Sequence, residues 1–113
     1  MTIQDIYELA IKMGMDADPR GKTGVARHLE RQSKAHKALT SQKKGEFDSE
    51  NLTNPYVDTR ILYGDPGIKV KRVLAGIDFD TGGVVLADRL KEKGNIIDLI
   101  IAHHPEGSAL AAL

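Results

Sequence analysis

Two short groups of residues in this 113-residue chain carry side chains suited to chemistry. One is His103-His104-Pro105-Glu106 and the other is Asp78-Phe79-Asp80-Thr81. Each follows an apolar stretch that reads as a β-strand. In a parallel α/β sheet, sites form beyond the carboxyl ends of the strands. If the two strands are neighbours, both groups share one rim. Adjacent histidines there could each offer a neutral imidazole to a divalent cation. Successive strand residues point to opposite faces, so adjacent ligands need a break from regular strand geometry, or two ions. Pro105 helps to end the strand at that place. Two imidazoles do not complete a site, which usually takes three or four ligands. The plainer reading is a pair of polar residues closing a strand. A carboxylate commonly orients a metal-bound imidazole, and Asp78 is the candidate for that role. Glu106 is either a proton-transfer group or an exposed loop acid.

The aspartates allow a rival chemistry. An apolar strand followed by Asp-x-Asp-x-Thr is the signature of haloacid-dehalogenase-like phosphatases. In that reading Asp78 is the nucleophile, Asp80 the general acid/base and Mg²⁺ the cofactor. Here Thr81 falls one position early and Gly82-Gly83 follows. The simpler role for Asp80 is as the N-cap of the next helix.

These groups need elements to position them. Thr2 and Asp5 form a capping-box pattern ahead of an apolar helical repeat at Ile3, Ile6, Tyr7, Ala10 and Met13, with Gly14 as a stop. Asp18-Pro19-Arg20-Gly21 reads as a turn. A polar helix is expected over about 23–39, then a loop over 51–55. Arg60-Ile61-Leu62-Tyr63 suits a strand, followed by a Gly64-Asp65-Pro66-Gly67 turn. A second strand over 70–77, buried along Val73-Leu74-Ala75, leads to a helix starting near Asp80 or Thr81. Val84, Val85, Ala87 and Leu90 form its inner face and Gly94 its stop. A third, apolar strand over 96–102 completes a βαβ unit with a parallel strand pair. Ser108 could cap one more helix, but Ala109-Leu110-Ala111-Ala112-Leu113 spans little more than one turn, too short to be favourable alone. It predicts that this is the N-terminal piece of a longer α/β protein.

Composition narrows the classes. Hydrophobic residues make up 41% and charged residues 28%, the range of a folded domain rather than a disordered chain. The chain has no cysteine, which excludes disulfides, thiolate ligands and a cysteine nucleophile. No apolar run approaches the roughly 18 residues that span a bilayer, and the N-terminus lacks a signal-peptide pattern. A cytoplasmic protein without a membrane partner is expected. Gly21-Lys22-Thr23 is not a phosphate loop, because the required first glycine falls at Asp16. Formal net charge is zero, although residues 20–44 hold eight basic side chains against one acid, Glu30. That stretch has no aromatic residue to stack on bases, so a solvated helix face is expected rather than a nucleic-acid interface. His28 and His36 are expected on the same surface.

Leu62-Tyr63-Gly64-Asp65-Pro66, the strand ending at Asp78, and Ile97-Asp98-Leu99-Ile100-Ile101-Ala102-His103-His104-Pro105 together resemble the N-terminal half of the NIF-three-like family. Its members, the NGG-interacting factor three proteins, are also described as GTP cyclohydrolase type 2 homologues. The resemblance covers residues 58–107. It implies an α/β fold, a site for two divalent ions (Zn, Mn or Fe) and a homo-oligomer, in the family a toroidal hexamer. It also implies that His103 and His104 are metal ligands, with the remaining ligands in later parts of the protein. Residues 15–54 depart from the family pattern and read as a polar helical insertion. The function expected is a hydrolase-like enzyme acting on a small molecule. The alternative is a metal-binding scaffold or interaction protein without catalysis.

Overall fold

The computed structural model describes residues 1–111, apart from the side chains at 108 and 111. The chain divides into two compact units: residues 1–8 with 58 onward, and residues 9–57. Helices and a small parallel sheet are both present, a partial α/β fold.

The first helix, α1 (Ile3–Ala17), begins as its capping pattern predicts. The Thr2 amide donates to Asp5 Oδ2 at 2.7 Å, and the Asp5 amide donates to Thr2 Oγ1 at 3.1 Å. Two orphan amides are thereby satisfied reciprocally. The helix does not stop at Gly14. That position is small for another reason: a Cβ there would stand 2.9 Å from Cε2 of Tyr56, so glycine lets the ring lie against the helix.

In the unit of residues 9–57, α2 (Gly21–Lys37) starts and ends two residues before the range expected. The carboxylate of Asp18 causes the shift. It accepts from the Arg20 amide at 2.9 Å and from Arg20 Nε and Nη2 at 2.9 and 2.7 Å, which closes the turn that launches the helix. Tyr56 donates its hydroxyl to the same carboxylate at 2.9 Å. Val25 is buried, and α2 packs against a short 3-10 helix, Ser49–Leu52. That helix takes up residues 51 and 52 of the stretch expected to be loop, and residues 53–55 are irregular as expected. An unexpected helix, α3 (Ser41–Glu46), is capped by Thr40, whose hydroxyl accepts from the Lys43 amide at 3.4 Å.

In the other unit, the segment after the Asp65-Pro66-Gly67 turn runs antiparallel to the N-terminus. Thr2 bridges Lys69, the Ile3 amide donates to the Ile68 carbonyl at 3.1 Å, and the Val70 amide to the Met1 carbonyl at 2.9 Å. The strand expected at residues 60–63 is not formed. No strand pairs with it among the described residues, and Tyr63 is 97% exposed. The next strand, β1 (Val73–Gly76), is shorter than expected. It leads through α4 (Thr81–Glu92) to β2 (Leu99–Ala102), also shortened. The strands pair in parallel with Val73 opposite Leu99 and Gly76 opposite Ala102.

Asp80 caps α4, its carboxylate accepting from the Gly83 amide at 3.2 Å. Gly94, with φ of 81°, ends it in a Schellman motif: Asn95 N–H bonds the Leu90 carbonyl and Gly94 N–H that of Lys91. The inner face corrects the expected one. Gly83, Ala87 and Leu90 are half-buried, whereas Val84 and Val85 are exposed. Phe79 sets this rotation, because it lies so near Gly83 that a Cβ there would come 2.4 Å from its Cδ1. Val73 and Ala75 are also exposed rather than buried, since one face of the sheet is open. The last helix, α5 (Gly107–Ala111), starts ahead of Ser108, and Ala109 is buried. Residues 112 and 113, expected to extend it, lie outside the described residues. Among the described residues no helix is long and apolar enough to cross a membrane.

Candidate functional site

The parallel register decides which residues meet beyond the strand ends. The ladder continues past β1 and β2: His103 N–H donates to the Gly76 carbonyl at 3.0 Å, and His104 N–H to the Ile77 carbonyl at 2.9 Å. Asp78 and His104 are thereby drawn together on one rim. Nδ1 of His104 lies 2.5 Å from Oδ1 of Asp78. Both side chains remain well exposed, 53% for the histidine and 79% for the aspartate.

The backbone bends at residues 103 and 104, so the strict alternation of strand side chains ends there. The two imidazoles come within 5.3 Å, centroid to centroid, at an interplanar angle of 70°. When His104 Nδ1 carries a proton it donates to Asp78. Nε2 then keeps its lone pair and can act as a ligand or a base. The arrangement can hold a cation at two imidazoles or accept a proton at His104. Among the described residues, no group of three or more histidine, aspartate or glutamate side chains is placed to hold a metal. The pair alone is two potential donors, fewer than the three or four that a metal site usually takes.

Asp80 belongs to a different task. Its carboxylate is engaged at the N-terminus of α4. Glu106 is exposed, and its carbonyl accepts from the Ala109 amide at 3.1 Å, opening α5. His28 and His36 are half-buried on α2 rather than on an open surface, and the His36 ring sits 4.8 Å from that of Phe47.

Two residues that position the rim carry no role in the sequence reading. Asp98 stands just before β2, and its Oδ2 accepts from the amides of both Lys71 and Arg72 at 2.9 Å. These two backbone bonds hold its carboxyl below the usual carboxylate range. The Asp98 amide returns a bond to the Arg72 carbonyl at 3.0 Å, so one residue pins the start of β2 to the start of β1. Phe79 is the other. Its ring fills the space that a Cβ would need at Gly76 and at Gly83. An acid directly ahead of an apolar strand was the available signal for Asp98. For Phe79 it was an aromatic residue flanked by glycines three before and four after.

Comparisons with family models, curated proteins and solved structures find no match to this chain.

Proposed function

We propose that His103 and His104 are metal ligands of a hydrolase-like protein similar to the NIF-three-like family, with Asp78 orienting His104. The observation that carries this reading is the meeting of Asp78 and His104 at 2.5 Å on the rim where the second imidazole also lies. In this reading β1, α4 and β2 are the βαβ unit of a larger α/β protein, which supplies the remaining ligands. The site would take two divalent ions and a small-molecule substrate, in a homo-oligomer. A divalent ion supplies a bound water that is nucleophilic near neutral pH. This chain contributes the two imidazoles and a carboxylate that fixes the tautomer of one of them, leaving Nε2 of His104 as its donor. The phosphatase alternative lacks support at Asp80, whose carboxylate serves as a helix cap.

Imidazole NMR on this chain tests the assignment, because its four histidines separate into two pairs. On titration with Zn²⁺, His103 and His104 should respond at lower metal concentration than His28 and His36. His103→Ala or His104→Ala should weaken that response at least about 10-fold, since loss of an outer-sphere partner alone typically costs 10–100-fold. Circular dichroism checks that the variants fold. Four histidines responding together, or folded variants that respond as the wild type does, would overturn the assignment.

A further inference from the structure

Helix α2 carries a row of cations. At about 100° and 1.5 Å per residue, Arg27, Arg31, Lys34 and Lys37 fall within an arc of about 120° along about 15 Å. All four are exposed. The opposite side holds buried Val25 and half-buried Leu29, Gln32 and His36, and the helix packs on Ser49–Leu52. A basic composition has thus become a basic face with a fixed orientation on its own unit.

The row is not accounted for by the helix itself. Lys34 and Lys37 lie in the last turn, where cations complement the negative end of the helix. Arg27 and Arg31 lie outside it and gain nothing from that. Spaced four apart, they repel each other and destabilise the helix. Lys34 pairs with Glu30 at 2.7 Å, and both of these side chains are largely solvated. Arg27, Arg31 and Lys37 have no ion-pair partner among the described residues. Within residues 9–57, nine basic side chains face six acidic ones, so the unit as a whole is cationic.

We infer that this face of α2 is a docking surface for the phosphate backbone of a nucleic-acid duplex. This inference is independent of the metal site. A duplex presents about one charge per 1.7 Å of axis, so the row faces several phosphates at once. The absence of aromatic residues from α2, the ground for expecting only a solvated face, bears on single strands, which are held by stacking, and leaves phosphate contacts to a duplex intact. A membrane surface fits less well. Helices that lie in a bilayer interface bury an apolar face there, and the thin apolar side of α2 is packed against its own unit.

Fluorescence anisotropy with this 113-residue chain and two labelled 20-base-pair duplexes of unrelated sequence tests the inference. Both should bind alike at low salt. Log affinity against log salt should fall with a slope of about −3, from three to four contacts at about 0.9 each. The triple change Arg27→Gln, Arg31→Gln and Lys37→Gln should weaken binding at least about tenfold and flatten the slope, because the counterions released scale with the contacts made. The charge-preserving set Arg27→Lys, Arg31→Lys and Lys37→Arg should keep both. No binding at low salt would overturn the proposal. So would equal binding by a Gln variant that circular dichroism shows to be folded. Tighter binding to a single strand, to polyglutamate or to anionic vesicles would overturn it as well.

Discussion

Asp98 shows how one carboxylate can set the geometry of a rim that it does not join. By taking the amides of Lys71 and Arg72, it fixes where β1 begins relative to β2, and that register brings Asp78 to His104. Its folded-state pKa lies below the usual value near 3.9. Its contribution to stability is therefore fully present above the unfolded value, and is lost as pH falls through the lower folded one. We predict that Asp98→Asn lowers the midpoint of urea unfolding at pH 7. The gap between variant and wild type should close as both are taken below about pH 4, where the unfolded chain's carboxylate takes up a proton that the native one still resists. A gap that stays constant down to pH 2 would show that the negative charge plays no part. Asp5 and Asp18 are also held low, by Thr2 and by Arg20 respectively, but they are common to both proteins and cancel in the comparison.

At the scale of elements, the stretch from Gly76 to Gly83 is governed by one ring. Alanine is the better helix former by about 1 kcal/mol, yet Gly83→Ala should destabilise the protein. Its Cβ would press into Phe79, and such overpacking typically costs about 1–3 kcal/mol. Thermal unfolding of Gly83→Ala, and of the double variant with Phe79→Leu, measures the effect. The double variant should recover part of the loss; a more stable single variant would refute the packing argument. This region also shows what was legible in the sequence. The capping box at Thr2 and Asp5, the cap at Asp80 and the stop at Gly94 were readable, because local hydrogen bonding fixes each of them. The mixed helix and strand content, a partial α/β fold, was readable from the apolar runs. The strand at residues 60–63 was misread, because β propensity alone does not provide a partner. The inner face of α4 was misread because Val84 and Val85 outrank Gly83 in hydrophobicity, whereas the close approach of Phe79 selects the side with no side chain. The two histidines were legible by type and position. Their bend, and the nearness of Asp78, depended on a register that no single segment encodes.

For the whole molecule, a hydrophobic share of 41% does not translate into a large core. Ile3, Ile11, Val25 and Ala109, with Pro55, are the buried apolar residues among those described, while Val84, Val85 and Ile77 are each more than half exposed. Two units with small cores should be able to lose structure separately, and the bond from Tyr56 to Asp18 adds a consequence. Residues 38 apart in sequence are fastened at one point, with the ring over Gly14. The chain between them leaves and returns beside this bond, its gate, so it can be treated as a cassette. Loop closure depends only weakly on length, so such a cassette can grow, shrink or be exchanged over evolutionary time at small energetic cost. Replacing residues 19–55 with a short Gly-Asn linker should therefore leave the amide protection of Val73–Gly76 and Leu99–Ala102 in place, as read by hydrogen exchange. Loss of that protection would show that the sheet depends on the cassette. Its retention would make the gate a site for grafting foreign segments.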